Sequence, residues 1–334
     1  MNLIGSCTNQ PAREITFDSF TEKIEDLELR SRHDLQRFMS LPAMHLVGDY
    51  LVFYDVHLQN EELIDVYSKD SFEYLGSLVT RGGSETEITS PGFLTVALDN
   101  HSIWVTDNGK SQMVRYDLSL VNRDSVIHWS EVISYPPDTP ILMGFAPTNN
   151  GQFIGQTFAD TDSLLMQFDS DSKRYVASGY PSDDALVVGD AFSQFANVFC
   201  YLPNGNIALA YRHYDALQIL NTEGLKLRTV IGPDKLKITG PRDKKAAYRH
   251  TKATENYLYA EYVGDEVINP ETNSMNQARS LFIFDLDGNP VAEIDLGLTI
   301  ANFAVDPETE SLWIYTNDTE NEPLLRYKWN ENNL

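Results

Sequence analysis

Apolar and β-branched residues cluster in short runs that recur along the chain, each opened by turn-forming residues. The series is Leu51-Val52-Phe53-Tyr54-Asp55, Ile103-Trp104-Val105-Thr106-Asp107, Phe153-Ile154-Gly155-Gln156-Thr157, Ile207-Ala208-Leu209-Ala210-Tyr211, Leu258-Tyr259-Ala260-Glu261-Tyr262 and Leu312-Trp313-Ile314-Tyr315-Thr316. Their first residues are separated by 52, 50, 54, 51 and 54 positions. A second series runs in phase with the first: Val66-Tyr67-Ser68, Arg115-Tyr116-Asp117, Gln167-Phe168-Asp169, Ile219-Leu220-Asn221, Ile283-Phe284-Asp285 and Arg326-Tyr327-Lys328. Turn chemistry follows several of these, as in Asn221-Thr222-Glu223-Gly224 and Asp287-Gly288-Asn289-Pro290, and a further strand comes after it. Each unit therefore predicts four strands joined by hairpins. Four-stranded antiparallel units at this period are the signature of propeller blades, which bury their faces only against one another.

The expected fold is all-β, a six-bladed β-propeller of four-stranded antiparallel blades. The sixth repeat lacks a fourth strand, because the chain ends at Leu334 soon after Leu325-Arg326-Tyr327. An N-terminal strand is expected to close the ring in the last blade, and Glu14–Phe20 is the segment with the strand pattern to do so. Residues 14–334 then form one domain, with residues 1–13 as a flexible tether. Two β-sandwiches would show no shared period. Phe20 to Met39 has room for a turn or two of helix but reads equally well as strand and loop.

Composition narrows the partners. Lys and Arg number 25 against 49 Asp and Glu, a net charge of −24, which disfavours nucleic acid and anionic membrane surfaces as partners. Two cysteines, Cys7 and Cys200, make no disulfide framework. Cys200 alternates within a strand as a buried thiol. Leu3-Ile4-Gly5-Ser6-Cys7 resembles a bacterial lipobox, in which Cys7 is lipidated. That predicts an exported, lipid-anchored envelope protein, periplasmic or on the outer surface, whose membrane contact is the anchor alone. A monomer is expected.

Propeller topology places the second-to-third turns and the between-blade crossings on one face, around the mouth of the channel. Ends of second strands and crossings bring Arg81, Tyr211, Arg212, His213, Tyr262 and Arg249 to that face as candidate ligand-binding residues. Arg holds carboxylates and phosphates with paired hydrogen bonds, and Tyr stacks on rings. The alternative for this cluster is an Arg212–Asp215 ion pair with tyrosines packed between blades. Nine cations fall between Lys226 and Lys252, either as an anion-docking patch or as a solvated loop. No GxSxG, HExxH, Walker or GxGxxG motif occurs, so no catalytic residue is assigned and no cofactor is required. His45, Lys252, Asn197 and Asn302 begin or follow the inner strands. Of these, His45, Asn197 and Asn302 are the candidates for calcium or another divalent ion if the chain is instead a metal-assisted hydrolase or lyase of lactonase type.

Six repeats, the lipobox-like start and Arg81-Gly82-Gly83 after the first blade make the chain similar to the TolB-like six-bladed propeller lipoproteins of Gram-negative bacteria. Related propellers carry Gly-x-Gly-Pro-x-Glu-Phe at the crossing, and Arg81-Gly82-Gly83-Ser84-Glu85-Thr86-Glu87 retains part of it. The resemblance implies an envelope location and a non-catalytic scaffold that binds a protein, peptide or glycan at the channel mouth.

Overall fold

A strand can be apolar on both faces only where a sheet is packed on each side of it. The second strands meet that condition: Leu51 to Tyr54, Ser102–Asp107, Ile207–Tyr211 and Ser311–Tyr315 are buried throughout. The computed structural model describes residues 13–37, 39, 43–55, 61–121, 129–139, 142–157, 165–169, 173–177, 197–212, 214–235, 245–266, 276–319 and 321–334. Three short N-terminal strands, β1 (Arg13–Thr16), β2 (Glu22–Ile24) and β3 (Leu29–His33), precede the first blade. From axis to rim, blade one is β4 (Ala43–Val47), β5 (Tyr50–Tyr54), β6 (Glu62–Ser68) and β7 (Tyr74–Thr80). Blade two is β8 (Pro91–Val96), β9 (Ser102–Asp107), β10 (Gln112–Asp117) and β11 (Trp129–Ser134); blade three is β12 (Leu142–Pro147), β13 (Phe153–Thr157), β14 (Leu165–Asp169) and β15 (Arg174–Ala177). Blade four is β16 (Asn197–Tyr201), β17 (Ile207–Tyr211), β18 (Ala216–Leu220) and β19 (Lys226–Ile231). Blade five is longer, with β20 (Lys245–Ala253), β21 (Tyr257–Glu266), β22 (Ala278–Asp285) and β23 (Pro290–Ile300). Blade six has β24 (Asn302–Asp306), β25 (Ser311–Tyr315) and β26 (Leu324–Lys328) from the C-terminal end. All six predicted second strands and all six third strands are in place.

The core is distributed among the blade interfaces. Blades one and two share a cluster around Val52, Ile64, Leu94 and Val105, and blades two and three one around Trp104, Met113, Phe145 and Phe153. Ile154, Leu165, Ile207 and Leu209 join blades three and four; Ala208, Leu217, Tyr248 and Phe282 join four and five; Tyr259, Ile283, Phe303 and Ile314 join five and six. Met44, Phe53, Tyr67, Trp313 and Tyr315 close the ring between six and one. At that last seam Phe72 stacks on Tyr67, with centroids 4.7 Å apart, and the Lys69 ammonium reaches across to Asp306 at 3.3 Å and Glu308 at 3.0 Å. Offset aromatic contacts of this kind add roughly 0.5–1.5 kcal/mol beyond burial.

Ring closure uses an N-terminal strand of the last blade, but not the expected segment. Leu29–His33 pairs antiparallel with β26, His33 opposite Leu324 and Leu29 opposite Tyr327. Arg13–Thr16 adds in parallel to the rim of blade four, and Glu22–Ile24 to that of blade five. The reason lies in Phe17 and Phe20. Phe20 packs on Phe282 at 4.7 Å and Phe17 on Phe284 at 6.1 Å, in the groove between blades four and five, so residues 14–20 are held away from blade six. Between Phe20 and Met39 the described residues are strand and loop, without helix. The C-terminus fastens blade six to blade five. Buried Glu331 accepts from Tyr259 Oη at 2.8 Å and Thr254 Oγ1 at 2.6 Å, and Trp329 Nε1 donates to Tyr259 Oη at 2.9 Å.

Two truncations separate these roles. A chain beginning at Leu35 loses β3, exposes the β26 edge, and is expected to aggregate or melt without cooperativity. A chain beginning at Glu25 keeps β3 and should stay a monodisperse folded species whose melting midpoint falls by about 5–10 °C through loss of the Phe17 and Phe20 packing. Size-exclusion chromatography and thermal circular dichroism decide both cases.

Candidate functional site

Inner strands of a propeller have one edge on the axis, so what they present there is set by their register. All six blades contribute to an axial cavity of about 680 Å³, within the range of small-molecule sites. Its wall has two halves. Blades two, three and four supply Gly92 to Val96, Gly144 to Pro147 and Val198 to Tyr201, with no charged side chain among them. Blade five supplies Arg249, His250, Thr251 and Lys252; Arg212 joins from the end of blade four's second strand, His45 from blade one and Asn302 from blade six.

Strict alternation would send Arg249 and His250 to opposite faces of the sheet. β20 also carries a β-bulge at this point: Tyr248 pairs with Tyr262 but Thr251 pairs with Ala260, so one residue more is accommodated on β20 than on β21. Four consecutive residues of β20, Arg249 to Lys252, line the wall, as Val198 to Tyr201 of β16 do in an unbroken register, because an inner strand turns its edge to the axis.

Electrostatically the basic half is strained by burial. Lys252 is lowered to about 8, with burial as the cause, while Glu261 pulls the other way. Its ammonium donates to the Met44 carbonyl and lies 5.8 Å from the Phe303 ring centroid. Burial, followed by the Lys252 and His250 charges, holds His45 well below the ordinary histidine value, so its ring is neutral. Arg212 and Arg249 are both lowered, chiefly by burial, and Arg212 further by Arg249. Arg249 is 9% exposed and donates to Gln277 Oε1 at 2.6 Å. Arg212 is accessible from the mouth although protein surrounds it, and its guanidinium has no hydrogen bond or ion pair among the described residues. Facing this group, Glu261 is fully buried. Its Oε2 lies 2.7 Å from His250 Nδ1, and its Oε1 has no hydrogen-bond partner among the described residues. Burial pushes the Cys200 thiol up to about 12, which leaves it protonated and a poor nucleophile.

The predicted residues divide accordingly. Arg212, Arg249, His45 and Asn302 meet in the cavity wall. Tyr211 is buried within blade four and donates to Gln218 Oε1 at 2.7 Å. Tyr262 is buried too, stacked on Phe282 at 4.1 Å, with its hydroxyl 3.0 Å from Asp215 and 2.7 Å from Asp234. Neither tyrosine belongs to the wall, because each phenol finds a partner inside the sheet packing. Asp215 caps the crossing instead of pairing with Arg212, accepting from the amides of Asp234 at 2.8 Å and Lys235 at 3.1 Å. Arg81 sits on the first crossing, bridged to Ile88, away from the wall. Asn197 opens β16 opposite Tyr211. His213 and Cys7 lie outside the described residues. The basic stretch is split: Arg228 bonds Asn289 at 2.7 Å, Lys235 bonds Asp18 at 2.7 Å, and Arg249 and Lys252 turn into the channel.

Sequence reasoning missed His250, Thr251 and the apolar wall around Phe93, Phe145 and Phe199. For a divalent ion the setting is poor: no three His, Cys, Asp or Glu side chains converge among the described residues, and His45 and Asn302 share their wall with Lys252 and two guanidinium groups. A cation there meets like charge.

This geometry is that of a six-bladed propeller with a basic and apolar axial site. The model of the TolB-like 6-blade propeller-like family matches residues 19–308, and the chain belongs to that family. In structure it is similar to a member of the DUF4221 family from Bacteroides vulgatus, at 12% identity, a TM-score of 0.61, and 91% and 97% coverage of this chain and that one. It is also similar to a Bacteroides fragilis protein named for its inferred export, at 10% identity, a TM-score of 0.58, and 94% and 98% coverage. At such identities the likeness is one of fold. None of the curated proteins matches the chain in sequence.

Lys252 gives a test of the buried charge. Its pKa falls from 10.5 to about 8 on folding, so the unfolded chain binds the extra proton between those values and stability contributed by this group rises with pH across that window. Lys252→Met should therefore melt higher than the native chain at pH 7. The gap should narrow as pH rises from about 8 toward 10.5. Paired thermal melts at several pH values measure it, and a gap that does not change with pH would show that the ammonium is not penalised.

Proposed function

We propose that this chain is a non-catalytic binding module of the bacterial cell envelope, which takes a group of a protein, peptide or glycan into the crossing-face mouth of its channel. The observation that carries the reading is Arg212, a guanidinium at the mouth that makes no hydrogen bond or ion pair among the described residues, beside Arg249. An arginine so placed offers a planar set of donors to a carboxylate or other oxyanion. The surrounding net charge of −24 makes the basic channel the place where an anionic group is attracted rather than repelled. The binding set is Arg212, Arg249, His250 and Asn302; Tyr211 and Tyr262 support the blades that hold it.

Export through a Cys7-lipidated leader fits the family and the name of the Bacteroides fragilis neighbour, and a monomer fits a ring closed by its own ends. The lactonase-type alternative draws no support from the charge of the wall and is not adopted.

The test is capture from an envelope extract by immobilised protein. Arg212→Ala combined with Arg249→Ala is expected to lower recovery of the bound component at least tenfold, while Tyr211→Phe, which alters only a buried hydroxyl, leaves it unchanged. Unchanged recovery with the double variant would remove the channel mouth from consideration.

A further inference from the structure

We infer that the group received by the channel is an apolar carboxylate: an acid head at Arg212 and Arg249 carried on an aromatic or large aliphatic body that lies against Phe93, Phe145 and Phe199. This rests on the reading that the channel mouth is the binding site, and it specifies the ligand chemistry.

The wall itself selects the class. Arg249, His250 and Lys252 come from blade five, Arg212 from the end of blade four's second strand and His45 from blade one, while the inner strands of blades two to four add no charged group. A ligand with a charge at one end and apolar surface at the other matches both halves at once. A small inorganic anion would leave most of the 680 Å³ and the aromatic wall to water. A sugar ring would set its hydroxyls against phenylalanines without hydrogen-bond partners, a costly burial of polar groups. Among the permanent cations, Lys252 is committed to the Met44 carbonyl and stands near Glu261, and Arg249 is partly committed to Gln277. Arg212 keeps its donors for the ligand, which suits a monoanion held by two parallel hydrogen bonds. The same chemistry occurs in a free aryl or alkyl acid and at the end of a peptide whose last residue is apolar.

Isothermal titration of the full chain with five probes tests this: 3-phenylpropionate, acetyl-Ala-Ala-Ala-Phe with a free terminus, the same peptide amidated, acetate and inorganic phosphate. The first two should bind, with the amide, acetate and phosphate each at least about tenfold weaker, as loss of a charge-assisted contact or of the apolar body implies. Arg212→Ala should reduce the acids to the level of the amide, Arg212→Lys should recover part of the loss, and Phe199→Ala should weaken the aryl acids without affecting acetate. Thermal melts of each variant verify the fold. A peptide acid tighter than phenylpropionate assigns the ligand to peptide ends; equal binding assigns it to free acids. An amide as tight as the acid, phosphate as tight as either acid, or no binding of any probe overturns the inference. If the probes fail while extract capture still depends on Arg212 and Arg249, only the ligand chemistry is wrong; if capture is also indifferent to them, the site is wrong as well.

Discussion

Everything in this molecule depends on the fact that a propeller blade has no core of its own. Each sheet is apolar on both faces, and each face is satisfied only by the neighbouring sheet, so five good interfaces leave two bare surfaces unless the sixth forms. The chain makes that interface with aromatic side chains (Tyr67, Phe72 and Trp313) and an inaccessible ammonium, Lys69, held by Asp306. It secures the sixth blade from both ends: Leu29–His33 as its rim strand and Glu331 as an anchor under Tyr259. Closure fixes the diameter of the axis, and with it the distance across which the basic and apolar walls of the cavity face each other.

The distribution of charge follows from the same closure. Arg212, Arg249 and Lys252 are gathered on one side of a narrow channel, where desolvation lowers all three pKa values. Such a cluster repels itself and would be costly in a neutral protein. Here an excess of 24 negative charges surrounds it, and Glu261 is buried within reach of the whole group. The acidic exterior and the basic interior thus offset each other, and the resulting field points anions at the axis while discouraging polyanions from the outer surface.

Much of the architecture was legible in the residues, because a blade repeats and repetition survives loss of detail. The six second strands read as mostly apolar runs at a near-constant spacing, and the missing strand of blade six could be counted. Which N-terminal segment supplies it could not be read. Three short segments of strand character lie before residue 34, three rims stand open to them, and the choice is made by Phe17 and Phe20 lodging between blades four and five. The site was half legible for a similar reason. Arg212, Arg249, His45, Lys252 and Asn302 could be placed near the axis from strand order alone. Tyr211 and Tyr262 looked like rim residues because strand ends usually are, yet Gln218, Asp215 and Asp234 satisfy their hydroxyls inside the sheets. His250 was passed over because only the starts of the inner strands were taken to face the axis, whereas four consecutive residues of β20 line it.

The length of blade five also indicates where function was built onto the scaffold. Blade four keeps strands of five or six residues, sufficient for packing against its neighbours. Blade five extends to strands of nine, ten, eight and eleven residues. Nothing in ring closure requires the extra length or the bulge, since five shorter blades close without the former. What blade five adds is a wall of Arg249, His250 and Lys252 backed by Glu261, while Gly92 to Val96, Gly144 to Pro147 and Val198 to Tyr201 bring no charged side chain. A repeat longer than its siblings whose packing faces stay intact has been shaped by more than ring closure, and its inner strand supplies most of the basic wall of the channel.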